Sequence, residues 1–264
     1  AWKVRQAAYK EVAAEFTKCD STDPLGRKYQ QQVPKWIVET TAIPQEDAYD
    51  AVLAYVDAFG SDSEGFTTSL IEGLVAKGFT TRPKTRVKAQ ELCLLLTEVG
   101  SGKPVAHTLL TVGTKSKTPK VVIGSVEFLY TIVKTFGGKP FDIKEIGAGL
   151  PTMFGSANAA VREWAHKLAV TVYQIAGPAP MHQWLKDIKP IQLAELEKDF
   201  RKAEHPLVPL KQLRGAGDRD GANNGTDGPS PMEFEEKEPE EYIDDTEPYD
   251  FLSNMPDEFY ENIV

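Results

Sequence analysis

The sequence predicts an all-α chain, a helical-repeat solenoid followed by a disordered acidic tail, on three observations. Basic residues precede candidate helices near Trp2, Ile43, Pro83, Pro119 and Asn158, at separations of 41, 40, 36 and 39 residues. The segments following and between these points carry apolar residues three and four apart, the period of one face of an α-helix. Clusters of Gly, Pro and Ser, "GSDSEG" (60–65), "GSGKP" (100–104) and "GGKPFD" (137–142), fall between the pairs, where they stop helices and supply turns.

Each element follows from the same reading. "AWKVRQAAYKEV" opens on a basic entrance, so Trp2 already belongs to the turn or second helix of a unit. The first pair is therefore expected to be truncated, leaving some core exposed at that end. "TKCDSTDPLGRKY" (17–29) reads as a long polar connector and "YQQQVPKWIVETT" (29–41) as a helix, with its partner beginning near Ile43. "FTTSLIEGLVAKGF" (66–79) pairs with "RPKTRVKAQELCLLL" from Arg82, and "VAHTLLTVGT" (105–114) with "KTPKVVIGSVEFLY" from Lys117. "IKEIGAGLPTMFG" (143–155) precedes "SANAAVREWAHKLAVTVY", where Val161, Ala165, Leu168 and Val172 mark one helix face. The final pair is "MHQWLKDI" (181–188) and "PIQLAELEKDFRK" (190–202), the latter started by Pro190. A period of about 40 residues built from helix pairs is the signature of HEAT or armadillo arrays, in which each pair buries its apolar face on its neighbours.

A chain of 264 residues with 41% hydrophobic content can bury a sizeable core. No stretch approaches eighteen consecutive apolar residues, so no membrane partner is expected. The chain opens without Met and without a basic-then-apolar leader, and is expected to be a trimmed fragment lacking a signal peptide. Cys19 and Cys93 form no spaced cluster, and both are expected to be reduced thiols of the cytoplasm, with Cys93 in the core.

The net charge of −9 conceals a division. Residues 215–264 hold 16 acidic and 2 basic side chains, so the first 214 residues carry 28 basic against 23 acidic and a net +5. "GAGDRDGANNGTDGPSP" (215–231) has the composition of a flexible linker, and "EEKEPEEYIDD" continues it with strong negative charge. "PYDFLSNMPDEFYENIV" (248–264) regains aromatic and aliphatic residues and reads as a docking peptide or the beginning of another folded domain.

No catalytic constellation emerges, and an enzyme is not expected. His107, His166, His182 and His205 match no zinc spacing, so no metal or other cofactor is implied. The glycines of "GAGLP" and "GTKSKTP" lack the strand-to-helix context of a phosphate loop. A +5 body with few exposed aromatics is a modest footprint for nucleic acid, which is not an expected partner. Trp36, Trp164 and Trp184 lie in apolar helical patterns and are assigned to the core. The basic helix entrances oppose the helix dipole, so capping does not account for them.

Several of these segments together resemble a known family. Trp2, Lys3 and Arg5 form a Trp-Lys-x-Arg entrance; Pro83, Lys84 and Lys88 form a "PKxxxK" turn; Pro119, Lys120 and Val121 form a "PKV" turn. Ala160 to Tyr173 supply an "AVRxxA…AVxxY" helix, and "IKPIQLAELEKDF" (188–200) closes the set. In this order the chain is similar to a TOG domain of the ch-TOG-type microtubule polymerases, most like the first such domain. Residues 248–264 are similar to the lead-in of a second TOG domain.

The resemblance implies a flat paddle of about six HEAT-like pairs over residues 1–204, an inter-domain linker over 205–247 and a lead-in segment over 248–264. It implies a non-enzymatic module that binds the αβ-tubulin heterodimer through turns on one edge, and microtubule plus ends in the full-length protein. The implied setting is the cytoplasm, on microtubules, spindle poles and kinetochores. The implied contacts are Trp2, Lys3 and Arg5 in the first turn, Lys84 and Lys88 in the third, Lys117 and Lys120 in the fourth, and Asn158 and Arg162 in the fifth. The second turn departs from the family's usual Asp-Ser-Asn: here Glu39, Thr40 and Thr41 precede Ala42, leaving Thr41 and Ala42 as a small polar and apolar contact. The alternative is a HEAT scaffold that binds a different protein on its concave face.

Overall fold

A computed structural model describes residues 2–60 and 65–214, and among these residues it contains helices and no strand. The expected linker beyond residue 214, the lead-in segment 248–264 and residues 61–64 of the "GSDSEG" connector lie outside the described residues. In chain order the helices are α1 (Trp2–Phe16), α2 (Leu25–Tyr29), α3 (Val33–Trp36), α4 (Ala42–Phe59), α5 (Thr67–Gly73) and α6 (Pro83–Leu96). They continue with α7 (Gly102–Thr108), α8 (Pro119–Phe136), α9 (Ile143–Phe154), α10 (Ala159–Ala176), α11 (Pro178–Trp184) and α12 (Pro190–Phe200).

The helices form two layers. The long second helices stack α1 on α4, α4 on α6, α6 on α8, α8 on α10 and α10 on α12. The shorter first helices make the other layer, with α3 on α5, α5 on α7 and α9 on α11. Between the long helices the polar contacts repeat with the sequence period. Gln6 Nε2 donates to Asp47 Oδ2 at 2.8 Å, Arg86 to Glu127, and Gln90 Nε2 to the Thr131 hydroxyl at 3.1 Å, each pair 41 residues apart. A constant offset equal to the repeat means that neighbouring long helices run parallel and in register. Their N-terminal turns therefore lie level along one edge, and their C-terminal ends along the other.

Two expectations about local structure need correction. The helix expected over 29–41 is broken: α2 ends at Tyr29 and α3 restarts at Val33. Pro34 has no N–H to give the carbonyl of Gln30, and its ring would collide with that carbonyl in a continuous helix, whereas it fits the first turn of α3. Residues 17–29, expected to be a polar connector, contain α2, drawn inward because Gly26 is buried against Phe59 and its carbonyl accepts from Tyr55 Oη at 2.8 Å. The helices expected at 66–79 and 105–114 also widen partway, into π-helical turns at Leu74–Gly78 and Leu109–Gly113, and α6 runs into a third at Thr97–Ser101. Gly100 kinks the chain within that third turn at φ +108°, a conformation glycine adopts without the Cβ clash other residues suffer.

The core is one cluster running the length of the repeats. At the first repeats Phe16 is its hub, with ring centroids 5.4 Å from Tyr29, 5.3 Å from Tyr55 and 5.7 Å from Phe59. Phe79 and Phe128 meet edge-on at 4.7 Å in the middle. Helix α1 buries only Phe16 completely, and Val4 on its outer face stays exposed. The three tryptophans assigned to the core are half-buried and lie against it: Trp36 by Tyr9, Tyr29 and Phe16, Trp164 by Tyr130, and Trp184 by Gly147. Cys93 is buried, and burial pushes its thiol pKa up, which keeps it protonated. No helix of the described residues is long and apolar enough to cross a membrane.

Residues 205–214, expected at the start of the linker, instead lie on the folded body. They run back along the edge opposite the turns, touching the C-terminal ends of successive long helices. Leu207 N–H donates to the Gln174 carbonyl at 3.0 Å, and Leu210 and Lys211 N–H both donate to the Thr135 carbonyl at 2.8 and 2.9 Å. Arg214 N–H donates to the Glu98 carbonyl at 2.9 Å. The physical reason is that the last carbonyls of each helix have no partner within the helix, and an extended segment of backbone donors satisfies them.

Candidate functional site: the edge of turns

The turns that precede the long helices bring the residues expected at the site to one edge, in three different states. Lys3, Lys84, Lys117 and Lys120 are exposed, and no ion pair engages them among the described residues. The Lys3 ammonium rests 5.7 Å from the centroid of the Trp2 ring, and Trp2 itself is 38% exposed at the first residue of α1. These side chains are exposed cations and an exposed apolar plate.

A second group is engaged within the domain. Arg5 Nε donates to Glu39 Oε2 at 2.7 Å and its Nη2 to Glu39 Oε1 at 3.1 Å, with a further bond to the Thr41 hydroxyl at 3.2 Å. Glu39 also accepts from the N–H groups of Thr40 and Thr41 at 3.0 and 2.9 Å. Arg5 thus ties the first turn to the second, and Glu39 rather than Thr41 organises the second turn. Thr41 remains half-buried as the N-terminal flank of α4, while Ala42 is exposed and its carbonyl accepts from Arg82. Lys88 is drawn inward: its Nζ donates to Asp50 Oδ2 at 2.6 Å and to the Glu46 carbonyl at 3.3 Å, both on α4.

The fifth turn forms the third group. Asn158 caps α10, its Oδ1 accepting from Ala160 N–H at 2.9 Å. Arg162 folds back over the turn, and its Nη1 donates to the carbonyls of Ser156 and Ala157 at 2.8 and 2.9 Å. These two acceptors give the arginine at the mouth of α10 a local partner that outweighs its unfavourable position on the helix dipole. His166, one turn on, reaches Asp199 of α12 across 2.8 Å, and that bond holds the Asp199 carboxyl below its usual range.

The Arg5 bidentate contact, offset by burial, holds the Glu39 carboxyl down to about 2, with the Thr41 bonds adding to the shift. A carboxylate with a depressed folded-state pKa contributes stability that is present above its ordinary value and lost as pH falls through the depressed one. The Glu39 contribution is therefore complete at neutral pH and disappears as the solution is acidified through the range from the ordinary glutamate value to about 2. Arg5→Ala is expected to return the Glu39 pKa toward the ordinary glutamate value in an NMR titration. It should lower stability at pH 7 only slightly, since Arg5 itself stays half in solvent.

Reading by motif gave Glu39 no role in the second turn and did not single out Arg82 or Arg86. Arg82 reaches Glu46 at 2.9 Å and Arg86 reaches Glu127, so both brace neighbouring long helices. The signal was available: Arg86 and Glu127 are separated by one repeat, as Gln6 and Asp47 are. Also missed were exposed apolar side chains along the same edge. Val38, Ile43, Val87, Val112 and Ile191 all lie in the turns or in the helical residues beside them, and Ile191 is 70% exposed. No group of three metal-ligating side chains occurs among the described residues.

The family model described as XMAP215/Dis1/CLASP, TOG domain, matches residues 1–200. Centrosomal protein 224 of Dictyostelium discoideum is 29% identical over 271 residues, covering 99% of this chain and 13% of that protein. Spindle pole body component alp14 of Schizosaccharomyces pombe is 31% identical over 220 residues, covering 81% of this chain and 27% of that protein. The chain thus spans a small part of the length of these relatives. A solved structure from work on tubulin recruitment and assembly by microtubule polymerases with TOG domain arrays superimposes with a TM-score of 0.70 at 27% identity, over 81% of this chain and 46% of that one. Drosophila melanogaster Mini spindles TOG3 gives a TM-score of 0.67 at 18% identity, over 81% of this chain and 94% of that one, a likeness of fold.

Proposed function

Because the chain belongs to the XMAP215/Dis1/CLASP TOG-domain family, we propose that residues 2–214 form a non-enzymatic module that binds the αβ-tubulin heterodimer through the edge of turns. The observation that carries this reading is the level row of outward lysines, Lys3, Lys84, Lys117 and Lys120, interleaved with Trp2, Ile43 and Val87. Apolar plates framed by unpaired cations suit a partner surface that is acidic around apolar patches, as tubulin is in the family's mode of binding. The cations steer encounter and fix orientation, and the plates supply the buried contact.

Arg5, Lys88 and Arg162 have a different part in this proposal from the free lysines. Their hydrogen bonds fix the turns. Asn158, Thr41 and Ala42 shape the fifth and second turns, with no charge of their own to offer. In the full-length protein the module acts as one of several at the microtubule plus end and spindle. Linked copies raise the effective concentration of captured tubulin. Release follows if the turns bind one curvature of the dimer better than another, since a ligand shifts a conformational equilibrium only through such a difference. The acidic residues beyond 214 serve as a tether to the next module.

Gel filtration of the chain with αβ-tubulin tests the reading. The two are expected to co-elute at low ionic strength, and the complex to weaken at about 0.3 M salt as the lysine contacts are screened. Separate elution at low salt contradicts it.

A further inference from the structure

In a solenoid each repeat touches only its neighbours, so the soft motion is bending at the junctions between repeats. The junction between α6 and α8 is where this chain should bend. Between its long helices it has less packing than the α4–α6 and α8–α10 pairs on either side, and polar pairs, Arg86–Glu127 and Gln90–Thr131, cross it beside the buried Phe79–Phe128 contact. The three π-helical turns cluster around it, at Leu74–Gly78, Thr97–Ser101 and Leu109–Gly113, with Gly100 at positive φ among them. First, second and third turns lie on one side of this junction, and fourth and fifth turns on the other.

The segment 205–214 crosses the same junction along the opposite edge. On the far side its backbone is bonded to Gln174 of α10 and Thr135 of α8. On the near side Arg214 Nε donates to Glu98 Oε1 at 2.9 Å, Nη2 to Asp57 Oδ1 at 2.6 Å and Nη1 to the Asp57 carbonyl at 3.1 Å. Leu213 packs on the core between these anchors, and Lys211 Nζ lies 3.8 Å from Glu98 Oε2. One short segment is thereby fastened to the ends of α4, α8 and α10 and to the residues just after α6. It joins α4 to α8 and α10, which are not consecutive in the row of long helices.

We propose that Arg214 is a positioning residue for the edge of turns: through the segment 205–214 it locks the α6–α8 junction and so holds the two sets of turns at the spacing their partner requires. The inference rests on tubulin being that partner. A locked edge binds without the ordering cost that a bending edge would incur, and that advantage is expressed mainly in the dissociation rate.

The test uses the full chain, with wild type, Arg214→Ala, and the charge-conserving variant Arg214→Lys. Tubulin association and dissociation rates are measured at 20 °C, with hydrogen exchange of the free protein alongside. For Arg214→Ala the association rate should stay within about twofold, since the turn lysines are untouched, while dissociation speeds up about fivefold. Exchange at residues 97–113 should rise with no change at the hub around Phe16, and Arg214→Lys, which keeps the cation between Asp57 and Glu98, should recover part of the slow dissociation. If Arg214→Ala leaves dissociation and the exchange of 97–113 as in wild type, the inference is overturned. A uniform rise in exchange across all repeats also overturns it, because that marks general destabilisation. Failure of wild type to bind tubulin at all is a separate result, which defeats the proposed partner and is read before any variant.

Discussion

Trp2→Ala is expected to weaken tubulin binding by about 2 kcal/mol, roughly thirtyfold, while leaving the melting temperature within a degree or two. Binding suffers because a large aromatic plate buried in a contact commonly carries a disproportionate share of its energy, and the lysines of the edge cannot replace buried area. Stability is spared because Trp2 is at the first residue of α1 and 38% exposed, and because the only fully buried residue of that helix is Phe16, fourteen positions on. Arg162→Ala gives an instructive contrast. Its guanidinium holds the carbonyls of Ser156 and Ala157, so its removal should cost both affinity and about 1 kcal/mol of stability. Isothermal titration with tubulin and a thermal melt of each variant separate the two patterns.

Phe16→Ala is expected to be the most damaging single change to the fold, at about 3–5 kcal/mol. Phe16 is fully buried and touches the rings of Tyr29, Trp36, Tyr55 and Phe59, which come from α2, α3 and α4. Alanine would leave a cavity among four aromatic groups that cannot close without moving three helices. It would also detach α1, which holds to the body chiefly by its packing on α4. A urea titration should show the midpoint falling sharply. Tubulin binding should fall with it, because Trp2, Lys3 and Arg5 all ride on α1. The opposed signatures of Trp2→Ala and Phe16→Ala distinguish a residue that meets the partner from one that carries such residues.

Much of this architecture was legible in the residues. The spacing of basic entrances near Trp2, Ile43, Pro83, Pro119 and Asn158 matches the starts of α1, α4, α6, α8 and α10. That legibility has a physical cause: a solenoid repeats one local pattern, so period and apolar spacing suffice. Where Pro34 interrupts the pattern, the break was visible as a proline, but the α2 helix beside it depends on Tyr55 and Phe59 from another repeat. The π-helical turns had no local signal either.

At the site, residue type foretold location better than state. Lys84, Lys117 and Lys120 stand free, whereas Lys88 and Arg5 are held by Asp50 and Glu39, partners 38 and 34 residues away. Only a comparison of charges one repeat apart would have revealed such pairs. Residues 205–214 were read as linker because the helical apolar pattern dissolves from about residue 205. Their order comes from unpaired helix carbonyls, which composition does not record.

The central claim is that tubulin meets the edge of turns, and hydrogen-exchange footprinting of the chain with and without αβ-tubulin tests it most directly. The account predicts protection at the starts of α1, α4, α6, α8 and α10, with residues 205–214 on the opposite edge unchanged. Protection confined to the faces of the helices, with the turns exchanging as freely as in the unbound chain, would contradict it and favour a scaffold that binds on its concave face.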